Sequence, residues 1–67
     1  MLATPDYSLG IAREPERRSL TGVNTSAWYA LQRAGKAPMP IKLGRRAVGW
    51  LRSDLIAWIE ARAAERA

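Results

Sequence analysis

The sequence predicts a small α+β fold: a winged helix–turn–helix in which three helices pack with a two-stranded β-hairpin. Helix signals, a short glycine turn, more helix signals, a hairpin pattern and a final helix follow in that order. With 67 residues, the chain is expected to form one domain. We expect residues 13–67 to fold as that domain. Residues 1–12 are expected to form a loosely ordered arm or a short edge strand, because Tyr7, Leu9 and Ile11 alternate.

The first helix is predicted over Glu14–Thr21. Pro15 suits a first helical position, since its missing N–H would have no partner there. Glu14 and Glu16 place negative charge at the positive end of the helix dipole. Gly22 then ends the helix, because glycine tolerates the positive φ of a helix C-terminus.

The second helix is predicted from Thr25 to Ala34. Asn24 is a preferred N-cap residue. Gly35 follows the last helical residue, and Pro38 and Pro40 prevent the helix from continuing. The two helices and the turn around Gly22 therefore predict a helix–turn–helix.

A hairpin and a third helix complete the pattern. The β-prone runs 41–43 and 47–51 flank the turn Gly44-Arg45-Arg46, where a wing would lie. Ser53 is predicted to cap the last helix, which is expected to reach about Arg66. Its apolar residues recur at helical spacing, as a core-facing stripe does: Leu55, Ile56, Trp58, Ile59 and Ala63.

The charge is unevenly distributed. The formal net charge is +5, yet residues 17–53 contain eight basic and no acidic residues. Such a block is typical of a surface that binds a polyanion, although a solvated face that keeps the protein soluble is an alternative. The basic residues of the block are Arg17, Arg18, Arg33, Lys36, Lys42, Arg45, Arg46 and Arg52.

The second helix carries the predicted recognition surface. On a helical wheel its core side holds Asn24, Ala27, Trp28, Leu31 and Ala34. The opposite side is polar and positive, which suits the major groove of DNA. A half-buried core position is the alternative for Tyr29. The predicted DNA-binding residues of this helix are Asn24, Thr25, Ser26, Tyr29, Arg33 and Lys36.

The hairpin supplies the predicted wing contacts. Lys42, Arg45 and Arg46 are expected to meet phosphates or enter the minor groove. The alternative is an edge strand whose charges only prevent aggregation. Backbone contacts are also predicted for the remaining basic residues of the block: Arg17, Arg18 and Arg52.

No catalytic chemistry is predicted. The sequence contains no His and no Cys, which removes most metal sites and nucleophile–base pairs. It has no glycine-rich phosphate loop, and we expect neither an enzyme nor a cofactor. No signal peptide and no membrane-spanning run is found, so a cytoplasmic protein is expected.

Residues 15–59 resemble the AlpA/excisionase family of small phage and mobile-element proteins, whose fold is a MerR-like winged helix. The turn Leu20-Thr-Gly-Val-Asn24 resembles the family's entry into its recognition helix. Trp28-Tyr-Ala-Leu31 and Arg33-Ala-Gly-Lys36 with Pro38 resemble that helix and its end. The wing and last helix are carried by Ile41-Lys-Leu-Gly-Arg-Arg-Ala-Val-Gly-Trp50, Ser53-Asp-Leu55 and Ala57-Trp-Ile59.

The resemblance implies binding of double-stranded DNA by the second helix and the wing, in a bacterial cell and in association with the nucleoid. Thr25, Ser26, Tyr29 and Arg33 would read the groove, and Arg46 would be the wing arginine. Arg17 and Arg18 stand where relatives have small apolar residues, so either their stems cover the core while their heads reach phosphates, or Leu9 and Ile11 fill the gap.

Three roles follow as hypotheses. The first is an excisionase (a recombination directionality factor) that binds repeated sites cooperatively, self-associates, bends DNA and assists a tyrosine or serine integrase. The second is a transcription regulator that binds a promoter. The third is a protein-interaction module that does not bind DNA.

Overall fold

The computed structural model describes residues 9–66; the prediction for Tyr7 and most of the N-terminal arm lies outside these residues. The elements follow the predicted order, with one short strand before the first helix. They are β1 (Ile11–Ala12), α1 (Glu14–Thr21), α2 (Thr25–Arg33), β2 (Ile41–Lys42), β3 (Val48–Leu51) and α3 (Arg52–Ala64).

The helix–turn–helix forms as its capping residues predict. Gly22 adopts φ 70°, and its N–H donates to the Arg18 carbonyl at 2.9 Å. The Asn24 side chain accepts from the Ala27 N–H at 2.8 Å and so caps α2. The predicted bounds of α1 are confirmed. Helix α2 ends one residue earlier than predicted, and Gly35 follows with φ 73°.

The sheet has three antiparallel strands in the order β1-β3-β2. The predicted hairpin is confirmed by the pairing of Ile41 with Gly49. The additional strand β1 pairs on the other edge of β3, with Ile11 opposite Leu51. Strand β3 is therefore central, which places the residues just before α1 in the same sheet as the wing.

Gly49 makes the close approach of the three strands possible. A Cβ atom at this position would overlap Cγ2 of Ile11 and lie 3.1 Å from both the Ala12 carbonyl oxygen and Cδ1 of Leu43. A side chain at the centre of β3 is thus excluded because both neighbouring strands occupy its space.

Helix α3 begins without the predicted cap. Ser53 is its second residue, and Leu51 is the N-cap residue, with no side-chain cap bond. The Arg52 N–H donates to the Gly10 carbonyl at 2.9 Å, so the chain passes directly from β3 into the helix. The prediction that Ser53 caps the helix was wrong. The first N–H of the helix, that of Arg52, is already satisfied by the Gly10 carbonyl beside the strand pair.

A cluster of tryptophans forms the core. Trp28 is fully buried and meets Trp50 and Trp58 edge-to-face, with ring centroids 6.3 Å and 5.1 Å away. Leu55 packs into the same cluster, which joins α2, β3 and α3. Within residues 9–66, no helix has the length and apolar character needed to cross a membrane.

Candidate nucleic-acid interface

An exposed stripe runs along α2. Ser26, Tyr29 and Arg33 recur at helical spacing, and the structure exposes all three. Tyr29 is 42% exposed and is not among the residues that form or pack against the hydrophobic core. The stripe presents hydroxyl groups toward the N-terminus of the helix and a guanidinium group at its last residue.

The buried side of α2 is rotated from the one the wheel predicts. Trp28 and Gln32 are buried, whereas Ala27 and Ala34, which were predicted to face the core, are exposed. Thr25 was placed on the outer side, but it is half-buried and its hydroxyl donates to the Glu14 carboxylate at 2.8 Å. Its hydroxyl proton is therefore engaged with α1.

Arg17 is the clearest departure from the sequence prediction. Its side chain is fully buried, and its guanidinium lies over the rings of Trp28 and Trp50 at 4.9 Å and 5.9 Å from their centroids. It donates to the carboxylate of Glu14 and to the backbone carbonyl of Val23. The predicted contact between Arg17 and a DNA phosphate was wrong, because this network encloses the whole charged group.

The prediction that an arginine stem covers the core in α1 is half right. The Arg17 side chain is fully buried against the core, as expected. Its head, however, finds a carboxylate and two indoles within the protein instead of a phosphate. Strand β1 also contributes to this region, since Ala12 is fully buried in the core.

Glu14 connects α1 to the first turn of α2. Its carboxylate accepts from Arg17 and from the Thr25 hydroxyl. The hydrogen bond from Arg17 lowers the pKa of Glu14 below its ordinary value, assisted by the bond from Thr25 and opposed by partial burial. The ionised carboxylate therefore fixes the beginning of α2 against α1.

Arg52 is also engaged within the protein. It donates to both carboxylate oxygens of Glu16, at 2.6 Å and 2.8 Å, and to the Leu9 carbonyl at 3.0 Å. This hydrogen-bonded pairing lowers the pKa of Glu16 and raises that of Arg52. The predicted phosphate contact by Arg52 does not fit this structure, because Glu16 already neutralises the guanidinium.

The linker between α2 and the wing is held by side chains that the sequence prediction did not assign. Gln32 and Trp50 both donate to the Pro38 carbonyl, at 3.1 Å and 3.2 Å. Trp58 donates to the Lys36 carbonyl at 2.8 Å. These bonds fix the position of the wing relative to α2. Trp50 and Trp58 lie 12 and 22 residues from their acceptors, so no local sequence signal points to these bonds.

The wing tip is a tight turn with exposed charges. The N–H groups of Leu43 and Gly44 both donate to the Ala47 carbonyl, at 2.7 Å and 3.3 Å. Arg45 and Arg46 are exposed within the turn, and Lys42 is exposed on β2. At the base of the wing, Arg13, which the sequence prediction did not assign, donates to the Val48 carbonyl at 2.9 Å.

Arg18 lies beside the turn of the helix–turn–helix. It is exposed, and it lines an open surface groove of about 430 Å³ together with Ser19 and the capping residue Asn24. The groove places a guanidinium group close to the N-terminus of α2. Setting aside Arg17 and Arg52, six cations of the basic block remain. Arg18 is the one of these six that belongs to α1.

The structure thus divides the basic block in two. Arg17 and Arg52 pair with glutamates. The six others are exposed and have no carboxylate within 4.0 Å among residues 9–66: Arg18, Arg33, Lys36, Lys42, Arg45 and Arg46. They lie on the helix–turn–helix, the linker and the wing.

Three helices around a three-stranded antiparallel sheet define a small winged helix–turn–helix protein. Residues 10–63 match the family described as prophage CP4-57 regulatory protein (AlpA). The chain belongs to this AlpA family, which confirms the resemblance seen in the sequence.

One relative is an uncharacterized protein of Enterobacteria phage P4, ORF88. It is 41% identical over 54 residues, which cover 81% of this chain. The matched segment spans only 61% of that relative's length. No solved structure matches the chain significantly.

Proposed function

We propose that the chain is a regulator that binds double-stranded DNA, with α2 in the major groove and the wing against the backbone. The observation that carries this proposal is the set of six exposed, carboxylate-free cations on the helix–turn–helix, linker and wing. A phosphate backbone is the partner that such a surface attracts. Membership of a family of regulatory proteins supports the same conclusion.

The exposed stripe of α2 suits base reading. Ser26 in the first turn of the helix and Tyr29 at its centre present hydroxyl groups that can reach base edges. Arg33 ends the helix and Lys36 follows it, so both are assigned to phosphates. Asn24 is assigned to the helix cap, with its remaining amide N–H groups available to a phosphate.

The wing is assigned to the backbone and the minor groove. Arg45 and Arg46 are adjacent on a tight turn, where two guanidinium groups repel each other unless an anion lies between them. Lys42 extends the same charge along β2. The wing therefore supplies affinity, whereas the α2 stripe supplies sequence preference.

Gel-shift titration tests this proposal directly. The probes are duplexes from the DNA flanking the chain's own gene and a random duplex of equal length, each at several salt concentrations. We expect binding to the flanking DNA and a steep loss of affinity as salt rises. Absence of any shift, or an affinity that does not change with salt, would instead favour a protein-interaction module.

A more specific role within DNA binding is that of a recombination directionality factor. The family description names a prophage protein, and one relative is encoded by a phage, which places similar chains on mobile elements. In this role several copies bind repeated sites cooperatively, bend the DNA and favour excision by a tyrosine or serine integrase. Self-association is part of this proposal.

Two assays separate this role from promoter regulation. A circular-permutation gel shift on an attachment-site fragment measures bending, and we expect a position-dependent mobility together with cooperative complexes. A reporter in cells without an integrase measures promoter control, which the word regulatory in the family description favours. A single non-cooperative, unbent complex would exclude the directionality factor.

A further inference from the structure

The linker between α2 and the wing, residues 34–40, continues from the helix without a free hinge. The Gly35 N–H donates to the Gln32 carbonyl at 3.0 Å, and the Lys36 N–H donates to the Leu31 carbonyl at 2.8 Å. Two prolines later in the linker each fix φ at their own positions. Few backbone torsions are therefore left about which the wing could turn relative to α2.

Two side chains from different elements converge on one carbonyl oxygen of this linker, that of Pro38. Nε2 of Gln32, in the last turn of α2, lies 3.1 Å from it, and Nε1 of Trp50, on β3, lies 3.2 Å from it. Gln32 is 7% exposed and Trp50 is 1% exposed, so little water reaches the two donors to compete for them. This carbonyl ties the end of α2 directly to the central strand of the sheet.

A third donor reaches the same linker from α3. Nε1 of Trp58 donates to the Lys36 carbonyl at 2.8 Å, two residues before Pro38. Three elements thus hold the linker backbone at two of its carbonyls, and the strand β3, which carries the wing, is one of them. Helix α2 and the strands of the wing consequently form one rigid body.

Gln32 is the donor that the core itself does not explain. Trp50 and Trp58 both pack edge-to-face on Trp28 or its neighbours in the tryptophan cluster, so each contributes to the core apart from its N–H group. The Gln32 side chain, in contrast, bonds only to Pro38 among the residues that the structure describes. Leucine would fill this buried position without enclosing a polar amide. What the amide adds is the position of the linker.

A rigid connection limits how the chain can lie on DNA. Successive phosphates of one strand are about 3.4 Å apart along the helix axis, so a shift of the wing by that distance would move Arg45 and Arg46 to other phosphates. With the linker fixed, the wing meets the same phosphates whenever α2 contacts its bases. Both contacts form together only where the twist and groove width of the duplex place those phosphates correctly.

We propose that Gln32, together with Trp50, is a positioning residue that holds the wing on one set of phosphates relative to the bases contacted by α2. This inference rests on the proposed binding of double-stranded DNA. The Pro38 carbonyl transmits the position of α2 to β3, and both donors act from within the protein, since both are buried. The linker thereby contributes to the preference between duplexes at base pairs that no side chain reaches.

Methylphosphonate scanning tests this inference. The duplex from the flanking DNA that binds best is synthesised with one neutral methylphosphonate at each position in turn, and gel shifts measure the affinity lost at each. For the wild-type protein we expect large losses at a few phosphates on the wing side, which are the positions whose effect disappears in Arg46→Ala. Gln32→Leu should spread these losses over neighbouring phosphates and make each smaller, while the positions affected near α2 stay the same.

Affinity and stability separate positioning from folding. Gln32→Leu should bind the specific duplex about fivefold more weakly, the effect of one lost hydrogen bond, and should bind a random duplex within about twofold of the wild-type affinity. Its Tm should stay close to the wild-type value, because leucine fills the buried space. Trp50→Phe keeps an aromatic ring in the core and removes the second donor to Pro38, so it should produce the same spread of losses.

Thr25→Val is the matched control. It removes a side-chain donor at the other end of α2, but that donor bonds to Glu14 of α1 and not to the linker. Because the tie between α2 and the wing is intact in this variant, it should keep the wild-type pattern of wing-side losses.

Several results would overturn the inference. These are a wild-type pattern in both Gln32→Leu and Trp50→Phe, the same spread of losses in Thr25→Val, or equal losses of affinity on the specific and the random duplex for Gln32→Leu. A lowered Tm of Gln32→Leu with an unchanged pattern would show that Gln32 acts on stability alone. Failure of the wild-type protein to bind any duplex would instead contradict the proposed function.

Discussion

The guanidinium carbon of Arg17 lies 4.9 Å from the centroid of the Trp28 ring. This contact joins the two helices of the helix–turn–helix, because Arg17 belongs to α1 and Trp28 to α2. Glu14 neutralises the buried charge, and the Val23 carbonyl accepts one of its N–H groups. A cation that would be expensive to bury alone is thus fully partnered.

Arg17→Met is expected to destabilise the protein strongly. The substitution keeps an aliphatic stem but removes the partner of Glu14 and Val23, and breaking such a buried network costs on the order of 3 kcal/mol. Arg18→Met is the matched control, since Arg18 is exposed on the same helix and should change stability by less than about 0.5 kcal/mol. Urea unfolding measures both; equal stability of the two variants would contradict the prediction.

Stability is expected to fall in acid through Glu14. Its pKa is lowered in the folded state, chiefly by the hydrogen bond from Arg17, so its contribution is complete above the ordinary pKa of about 4.3 and is lost as pH falls through the folded value. Glu14→Gln should flatten the fall in urea midpoint below about pH 4.3. Glu60→Gln, at an exposed position of α3, is the control variant and should keep the wild-type profile. Identical profiles for all three proteins would exclude this role of Glu14.

Local signals account for the parts of the fold that the sequence predicted. Pro15 and Gly22 define α1 because proline and glycine act through their own backbone geometry. Asn24 caps α2 through a bond to a residue three positions away. Such interactions are complete within a few residues, so they can be recognised without knowledge of the fold.

The parts that were missed depend on distant partners. Whether Arg17 faces solvent or the core depends on Trp50, which is remote in sequence. Arg52 is withdrawn from the surface by Glu16, 36 residues away. A wheel for α2 likewise cannot show that Thr25 turns toward Glu14. Charge patterning identified the basic block, but only packing shows which of its members remain exposed.

Gly49→Ala should disrupt the sheet. A methyl group there would overlap Ile11 and crowd the backbone of β1, and overpacking of this kind costs about 1–3 kcal/mol. Gly44→Ala is the control, because a Cβ atom at Gly44 would have no neighbour within 4 Å. Thermal unfolding should show a lower Tm for Gly49→Ala alone. A Tm for Gly49→Ala that matches the wild-type value would mean that the neighbouring strands can move away from the added methyl group without loss of stability.

Thr25 is expected to influence DNA binding through Glu14. Thr25→Val removes the hydroxyl that donates to Glu14, and Glu14→Gln weakens the same connection from the other side. In a double-mutant cycle on the specific duplex, we expect the double variant to lose no more affinity than either single variant, with a coupling of about 1 kcal/mol. Thr25→Ser should retain wild-type affinity. Additive losses would instead show that Thr25 contacts DNA directly.

The wing and the α2 stripe are expected to fail in different ways. Arg46→Ala removes an exposed wing charge, so it should weaken specific and random duplexes alike and reduce the salt slope by about 0.9. Ser26→Ala and Tyr29→Ala change exposed groups on α2, which we propose reads the bases, so they should alter the preference between duplexes. Arg66→Ala removes an equal charge beyond the end of α3 and should leave the salt slope unchanged.

Gel-shift titrations on both duplexes at several salt concentrations measure all four variants. Equal losses on both duplexes for Arg46→Ala, Ser26→Ala and Tyr29→Ala would mean that backbone contact and base reading do not reside on separate elements.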